Sequence, residues 1–368
     1  MDILFAIKST TAKGGGAERV LATVTSGLAD RGHQITLLTY DPPTRNSFYS
    51  IHPSINQIKL DIGIPGQYST LRETLQRMIA LRRTIVENNP DIVVGFLHSM
   101  FIPLGLALLG TSIPMIGSQH IGVEHFWKHP IQHLLLQLTP FLTKKTTIIS
   151  EKLREGYNNH LRRHMVAIPN PVSIPEKNLP IEERPLSSRN KILSVGRLNL
   201  QKDHKTLIEA YALLANDFPD WDLRIVGDGD LRPQLEEQIK SLELQDRITI
   251  ANTTANISEE YLGSQLFAMP SSYEGFGLVT AEALSYGLPA VGFADCPGTN
   301  ELIKHKQNGI LVQGPQRTVA FAEGLQHLMN SPELRVRLGN SGPESVTEFS
   351  QEKVCDKWEE LLQKWTGV

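Results

Sequence analysis

Short, nearly unbroken apolar runs alternate with helix-periodic stretches along the chain. Ile3–Ile7, Gln34–Thr39, Ile92–Leu97, Met115–Ser118 and Thr146–Ile149 have the length and apolar content of buried strands. Between them, Glu18–Ala29 and Ser69–Glu87 carry helical spacing. Repeated units of this kind build a parallel sheet with helices on both faces. The pattern breaks at Pro169, Pro171, Pro175, Pro180 and Pro185, which are too closely spaced for a helix or an inner strand. It then resumes with Lys191–Val195 as a strand, His204–Asn216 as a helix, and strands at Leu223–Val226, Ile248–Ile250, Leu266–Met269 and Pro289–Gly292. The expected fold is α/β, with two doubly wound parallel-sheet (Rossmann-like) domains, 1–170 and 171–350, joined near Asn170–Pro171. Ligands of such sheets bind at the carboxyl ends of the strands, so a shared ligand is expected in a cleft that both domains face.

One stretch tests whether the chain crosses a membrane. Ile92 to Gln119 contains no Lys, Arg, Asp or Glu. Pro103, Gly105, Gly110 and Pro114 punctuate it, however, and His98, Ser99, Thr111 and Ser112 interrupt its apolar character. A strand, a short core helix and a second strand fit it better than a spanning helix. The start, MDILFAIKST, lacks the basic leader of a signal peptide and runs straight into a strand pattern.

At 368 residues the chain is long enough for two domains, each with its own core. Cys296 and Cys355 are too few for a disulfide framework or a four-thiolate zinc site and suit a reducing cytosol. The net charge of −3 argues against general nucleic-acid binding, yet it hides an asymmetry. Residues 1–170 hold 17 Lys/Arg against 11 Asp/Glu, whereas 171–368 hold 19 against 28. A basic amino-terminal half suits an anionic surface or acceptor, although ordinary solvated faces give the same count.

Three segments carry candidate chemistry. In Glu274-Gly-Phe-Gly-Leu-Val-Thr-Ala-Glu282, Gly275 and Gly277 stand where a helix should begin. Glycines there let backbone N–H groups approach a phosphate, and the carboxylates accept hydrogen bonds from vicinal hydroxyls. Val195-Gly-Arg197-Leu-Asn-Leu-Gln-Lys202 leaves a strand with a planar fork and a point charge, a plausible diphosphate clamp. Lys13-Gly14-Gly15-Gly16-Ala17-Glu18-Arg19 follows the first strand, but it has neither the dinucleotide Gly-x-Gly-x-x-Gly register nor the Lys-Ser/Thr of a P-loop. His125, His129 and His133 stand at i, i+4, i+8, but Pro130 interrupts that helix and the His-Glu-x-x-His pattern is missing, so no metal is expected.

Together with Gly227-Asp228-Gly229 and Asn308-Gly309-Ile-Leu-Val, these segments resemble the retaining glycosyltransferases of family 4, which have the two-domain GT-B architecture. The resemblance spans nearly the whole chain. It implies that Arg197 and Lys202 hold the donor diphosphate, that Glu274 addresses the donor sugar, and that Glu282 addresses the nucleoside ribose. The other donor contacts it implies are Gly15, Gly16, Gly227, Gly275, Phe276, Gly277 and Leu278. His120 is the residue that would lie beside the transferred sugar, which makes His120, Glu274, Arg197 and Lys202 the catalytic candidates. No cofactor or bound metal is implied beyond the nucleotide-sugar co-substrate. In this architecture a last helix, here within 351–368 with Trp358, Leu361, Leu362 and Trp365, returns to the first domain.

Ser69–Glu87 pairs an apolar stripe (Leu71, Leu75, Met78, Ile79, Ile85) with Arg72, Arg77, Arg82 and Arg83. It reads either as a packed surface helix with solvated arginines or as a seat for a lipid-diphosphate acceptor. The second reading is similar to bacterial enzymes of the N-acetylgalactosamine transferase type that extend undecaprenyl-diphosphate-linked oligosaccharides. Their acceptor glutamate-histidine pair is Gln119-His120 here. The expectation is therefore transfer, with retention, of a hexose or N-acetylhexosamine from a nucleotide diphosphate sugar, with uridine favoured on that resemblance, to a lipid-linked acceptor. Localisation would be cytoplasmic and peripheral on the inner face of the cytoplasmic membrane, with no oligomer required. The alternatives are the same chemistry on a lipopolysaccharide core or soluble acceptor, or a nucleotide-sugar binding or epimerase-like protein of the same fold.

Overall fold

A computed structural model describes residues 1–11, 15–63, 70–127, 129–175 and 189–366. Lys13, Gly14, Ser69, Pro180 and Pro185, which figure in the expectations above, lie outside the described residues. The chain divides into two compact units, one of Met1–Pro171 with Gln351–Val368 and one of Val172–Ser350.

The first unit holds a seven-stranded sheet of β1 (Asp2–Ala6), β2 (Gln34–Thr39), β3 (Asn56–Lys59), β4 (Ile92–Phe96), β5 (Met115–Gln119), β6 (Lys145–Ile148) and β7 (Met165–Ala167). Its spatial order is β3-β2-β1-β4-β5-β6-β7, and every pairing is parallel. β1 and β4 are buried on both faces, which is why they read as continuous apolar runs rather than as alternation. The charge-free stretch resolves into β4, the helix His98–Ala107 with Pro103 inside it, and β5. β3 carries no apolar signature and β7 is only three residues long; they are short strands at the two edges.

The second unit holds β8 (Asn190–Val195), β9 (Trp221–Val226), β10 (Ile248–Ala251), β11 (Leu266–Met269), β12 (Ala290–Phe293) and β13 (Gly309–Val312), in the order β10-β9-β8-β11-β12-β13, again all parallel. In each sheet the strand order reverses at one place, between β1 and β4 and between β8 and β11. Loops leaving the carboxyl ends of those neighbours diverge to opposite faces and open a crevice, where such sheets bind ligands.

The helix Gln351–Thr366 belongs to the first unit and packs on the helix Gly16–Asp30 and on β4. Its buried residues Val354, Trp358, Leu361 and Leu362 complete the first core. Trp358 lies parallel to Phe96 at 6.1 Å and edge-on to Phe5 at 6.3 Å. On the outer side, Arg31 pairs with Asp356 at 2.7 Å and with Glu359 at 2.8 Å. Truncating Trp358 to Ala removes a fully packed indole, and the expected loss is about 3–5 kcal/mol in the unfolding transition of the first unit. Urea denaturation followed by circular dichroism measures it; a loss below about 1 kcal/mol would show that the returning helix contributes little to that core.

Candidate active site

In the second unit the loops after β8 and β11 meet at the switch point of the sheet. Lys202 Nζ donates to Glu274 Oε1 at 2.7 Å, and Ser271 Oγ donates to the same oxygen, also at 2.7 Å. Glu274 is buried and Lys202 nearly so. The two loops are laced together through Gln201: Ser272 N–H donates to Gln201 O at 3.0 Å, and the Gln201 side chain donates through Nε2 to Tyr273 O at 2.8 Å. Asn199 Oδ1 accepts from Lys202 N–H, and the aliphatic stem of Lys202 lies over Gly196. The ammonium is thus steered onto Glu274 from both ends of its side chain.

Arg197 lies on the same loop and is exposed. Among the described residues its guanidinium has no ion-pair or hydrogen-bond partner, which leaves its planar fork free for an anion. Gly227 abuts this loop so closely that a Cβ there would overlap the Gly196 carbonyl oxygen, so only glycine fits. On the other side, Gly277 adopts φ 83° and opens the helix Leu278–Ser285 without a side-chain cap. The first-turn N–H groups of that helix therefore stand beside the Glu274 loop with the positive end of the helix dipole. Gly275 and Leu278 are half-buried in that turn, and Phe276 is buried edge-on to Phe349 at 5.1 Å.

Glu282 lies one turn into the helix interior, buried, with Oε2 accepting from Tyr261 Oη at 2.9 Å. Tyr261 stacks on Tyr286 at 5.2 Å. The structure therefore gives this carboxylate a phenol partner that sequence spacing did not reveal. Asn308, read from the sequence only as part of a motif, is a buried clamp: its amide donates to Leu302 O and Ser345 Oγ while its oxygen accepts from Lys304 N–H.

Gly15, Gly16 and His120 belong to the first unit, whereas the other donor candidates belong to the second. Gly15 precedes the helix Gly16–Asp30, and Glu18 folds back beneath it. The loop from β1 to this helix is gathered by Asp41, a buried carboxylate at the end of β2. It accepts from Ser9 Oγ at 2.5 Å, from Thr10 N–H at 2.8 Å and from Thr10 Oγ1 at 3.3 Å. Sequence reasoning missed Asp41; its signal is a lone acid directly after a buried apolar strand.

His120 follows β5 and stacks on Phe96 at 5.0 Å, so Trp358, Phe96 and His120 form one aromatic column. Its Nε2 lies 3.0 Å from Ser118 Oγ, which in turn accepts from Thr147 Oγ1. Burial lowers the His120 pKa to about 4, with Asn170 partly opposing, so the ring is neutral at pH 7. Gln119, its neighbour, is buried on the opposite face of the strand, with Nε2 donating to Tyr157 Oη at 3.5 Å.

The four candidate acceptor arginines do not share one surface. Arg77 is buried, donates to Ile62 O at 3.1 Å and lies 4.7 Å over the Tyr40 ring. Arg82 closes the end of the helix His98–Ala107 through Ala107 O and Leu109 O. Arg83 pairs with Glu87 at 2.8 Å, and Arg72 is exposed. In the helix Leu71–Asn88 the inward face is Arg77, Leu81 and Ile85, while Leu75 and Ile79 of the expected apolar stripe face solvent. Rings of His98 and His125 stand 5.7 Å apart and those of His125 and His129 4.7 Å apart; among the described residues no three His, Cys, Asp or Glu are grouped to hold a metal.

Burial also depresses His98 and His164 to about 4 and His204 to about 3. The unfolded chain takes up protons on these histidines near pH 6.5, whereas the folded chain resists them until about pH 4. Their stabilising contribution is complete above about pH 6.5 and is lost as the pH falls toward 4. Melting temperature is therefore expected to fall steadily between pH 7 and 4; a flat profile across that window would contradict the buried neutral rings.

Comparison with known proteins gives a family match over each half of the chain. Residues 14–175 match the family described as Glycosyltransferase Family 4, and residues 177–345 match Glycosyl transferases group 1. The chain is 27% identical over 350 residues to an uncharacterized glycosyltransferase of Haemophilus influenzae, covering 95% of this chain and 96% of that one. It is 24% identical over 364 residues, 98% of each chain, to the GalNAc-alpha-(1->4)-GalNAc-alpha-(1->3)-diNAcBac-PP-undecaprenol alpha-1,4-N-acetyl-D-galactosaminyltransferase of Campylobacter jejuni. Among solved structures, Anabaena Alr3699/HepE in complex with UDP and glucose superposes with a TM-score of 0.76 at 19% identity, covering 99% of each chain. The two parallel-sheet units are those of the GT-B fold.

Proposed function

The chain is a glycosyltransferase whose amino-terminal half belongs to Glycosyltransferase Family 4 and whose carboxy-terminal half belongs to the group 1 glycosyl transferases, and we propose that it moves a hexose or N-acetylhexosamine from a uridine diphosphate sugar to a lipid-linked glycan, with retention. The observation that carries this reading is the Lys202–Glu274 pair at the β8/β11 switch point, flanked by the exposed Arg197, unpartnered among the described residues, and by the helix that opens at Gly277 without a side-chain cap. Cations and an open helix start suit a diphosphate, and the adjoining carboxylate suits sugar hydroxyls. The UDP-bound HepE supports uridine as the base, and the Campylobacter enzyme, whose name specifies an undecaprenol-linked glycan, supports the acceptor class.

In the proposed reaction the bond between the anomeric carbon and the diphosphate breaks, and the acceptor oxygen forms the new bond from the same face. The acceptor proton passes to the departing diphosphate oxygen, so no protein nucleophile takes part. Negative charge grows on the diphosphate as this happens, and Arg197 and Lys202 stabilise it more than the ground state. Glu274 positions the sugar through its hydroxyls. His120, neutral at pH 7, is proposed to exchange hydrogen bonds with the transferred sugar rather than to meet it as a cation. Glu282, hydrogen-bonded to Tyr261, is proposed to serve the ribose. Protein cations, not a resident metal, are proposed to neutralise the leaving group. Among the described residues no helix is long and apolar enough to cross a membrane, so a lipid-linked acceptor would be met at the bilayer surface.

Two measurements test the proposal. In a thermal-shift panel of UDP, GDP, ADP and their sugars, a ligand at about 100 times its Kd should add about 2.7 kcal/mol of stability. UDP and its sugars are expected to stand out and to be indifferent to EDTA; silence with every nucleotide would reject the donor site. Lys202→Ala and Arg197→Ala are each expected to lower kcat by about 10²–10³-fold, and Lys202→Ala to lose the shift given by UDP. Turnover of either variant at the wild-type rate would remove the diphosphate clamp.

A further inference from the structure

Three short helices, Glu124–Trp127, Pro130–Leu136 and Thr139–Leu142, follow β5 in the first unit. Their inward faces supply Phe126, Leu136 and Thr139 to the interior, all buried. Their outward faces are also apolar. Trp127 is 71% exposed, Ile131 75%, Leu134 70% and Phe141 76%, with Leu138 between them at 40%. A soluble surface helix places polar residues there; four large apolar side chains open to water within fifteen residues make a patch that calls for an occupant.

The charge around the patch says which occupant. From His125 to Ser150 the sequence contains no Asp or Glu, and over 125–175 it carries seven Lys/Arg against Glu151 and Glu155. Phe141 lies 6.0 Å from the His160 ring of the basic helix Asn159–His164, where Arg163 is exposed. Among the described residues Lys145, beside it, donates to a backbone carbonyl, Arg163 O. Glu124 opens the first of the three helices, yet basic residues outnumber acidic ones across the segment. An aromatic and aliphatic face with cations beside its Phe141 end complements a surface that offers hydrocarbon beneath a layer of negative charge. The helix Leu71–Asn88 is a poorer match: it exposes Leu75 and Ile79, but Glu73 and Glu87 share its surface, and Arg77 and Arg82 are committed to the fold.

We propose that Trp127, Ile131, Leu134 and Phe141 form the face by which the first unit inserts into an anionic lipid bilayer. Aromatic and branched side chains reach the acyl boundary, and Lys145 and Arg163 meet the headgroups. The proposal stands on exposure and charge and does not depend on the reaction proposed above.

Flotation of the full chain with phosphatidylglycerol–phosphatidylcholine vesicles, and with phosphatidylcholine alone, tests it. The wild type is expected to float with the anionic vesicles and to be released by salt. The triple variant Ile131→Ser, Leu134→Ser, Phe141→Ser is expected to partition at least about tenfold more weakly. Because these side chains face water, its melting temperature should match the wild type. Lys145→Glu with Arg163→Glu, which leaves the apolar face intact, should weaken binding to anionic vesicles only and guards against misfolding of the triple variant. Failure of the wild type to float overturns the proposal, as does equal flotation of wild type and both variants. So does loss of flotation on Leu75→Ser with Ile79→Ser instead. A wild type that dimerises, fails to float, and becomes monomeric in the triple variant would assign the face to a second copy of the chain. The UDP thermal shift, read on the same proteins, separates failure of this face from failure of the donor site.

Discussion

Everything in the second unit that concerns chemistry is arranged around one ion pair held largely out of water. An ammonium and a carboxylate brought together in a protein interior lose hydration, and they persist only where the geometry is good and remaining hydrogen-bonding capacity is met. Lys202 and Glu274 meet those terms because two loops, 72 residues apart in sequence, are joined by a backbone hydrogen bond from Ser272 to Gln201 and a side-chain bond from Gln201 to Tyr273. Ser271 takes up the same carboxylate oxygen, and Asn199 fixes the lysine backbone. The pair satisfies both charges within the protein itself. Arg197, on the same loop, has no such partner among the described residues and is exposed.

The first unit solves a different problem with the same topology. Asp41 accepts three hydrogen bonds from Ser9 and Thr10 and so tethers the chain where it leaves the end of β1. Its candidate catalytic ring, His120, is positioned by stacking rather than by charge. The column from Trp358 through Phe96 to His120 ties the ring to the helix that ends the chain. A distant carboxy-terminal residue thereby supports the packing of a residue at position 120, and the low pKa of that ring follows from the same packing.

The two helical regions show why surface and core are hard to tell apart by spacing. In Leu71–Asn88 the apolar positions Leu75 and Ile79 recur at the spacing of a buried stripe, yet the helix turns Arg77, Leu81 and Ile85 inward. Arg77 is tolerated there because Ile62 O accepts from it and the Tyr40 ring lies beneath its guanidinium. In the three helices after β5 the inverse holds: apolar residues occur on both faces, so periodicity cannot say which set the interior takes. Phe126 and Leu136 are taken, and Ile131 and Phe141 are left outside.

The sequence by itself determined the alternation of strands and helices, the parallel class of both sheets, the restart of the pattern after the proline-rich stretch, and the residue types at the candidate site. These are local or periodic properties: a doubly buried strand must be apolar throughout, and a turn whose backbone has positive φ favours glycine, as at Gly277. Only the tertiary structure decided which of those residues meet. Strand order made neighbours of β8 and β11 and so joined Lys202 to Glu274. Packing gave Glu282 its tyrosine, gave Asp41 its loop, and turned Arg77 inward. Edge strands β3 and β7 were not read from the sequence either: β3 has little apolar pattern, β7 is three residues long, and each is defined by its neighbour's hydrogen bonds. Contacts between residues far apart in the chain depend on topology, and a one-dimensional pattern of apolar and polar positions does not encode it uniquely.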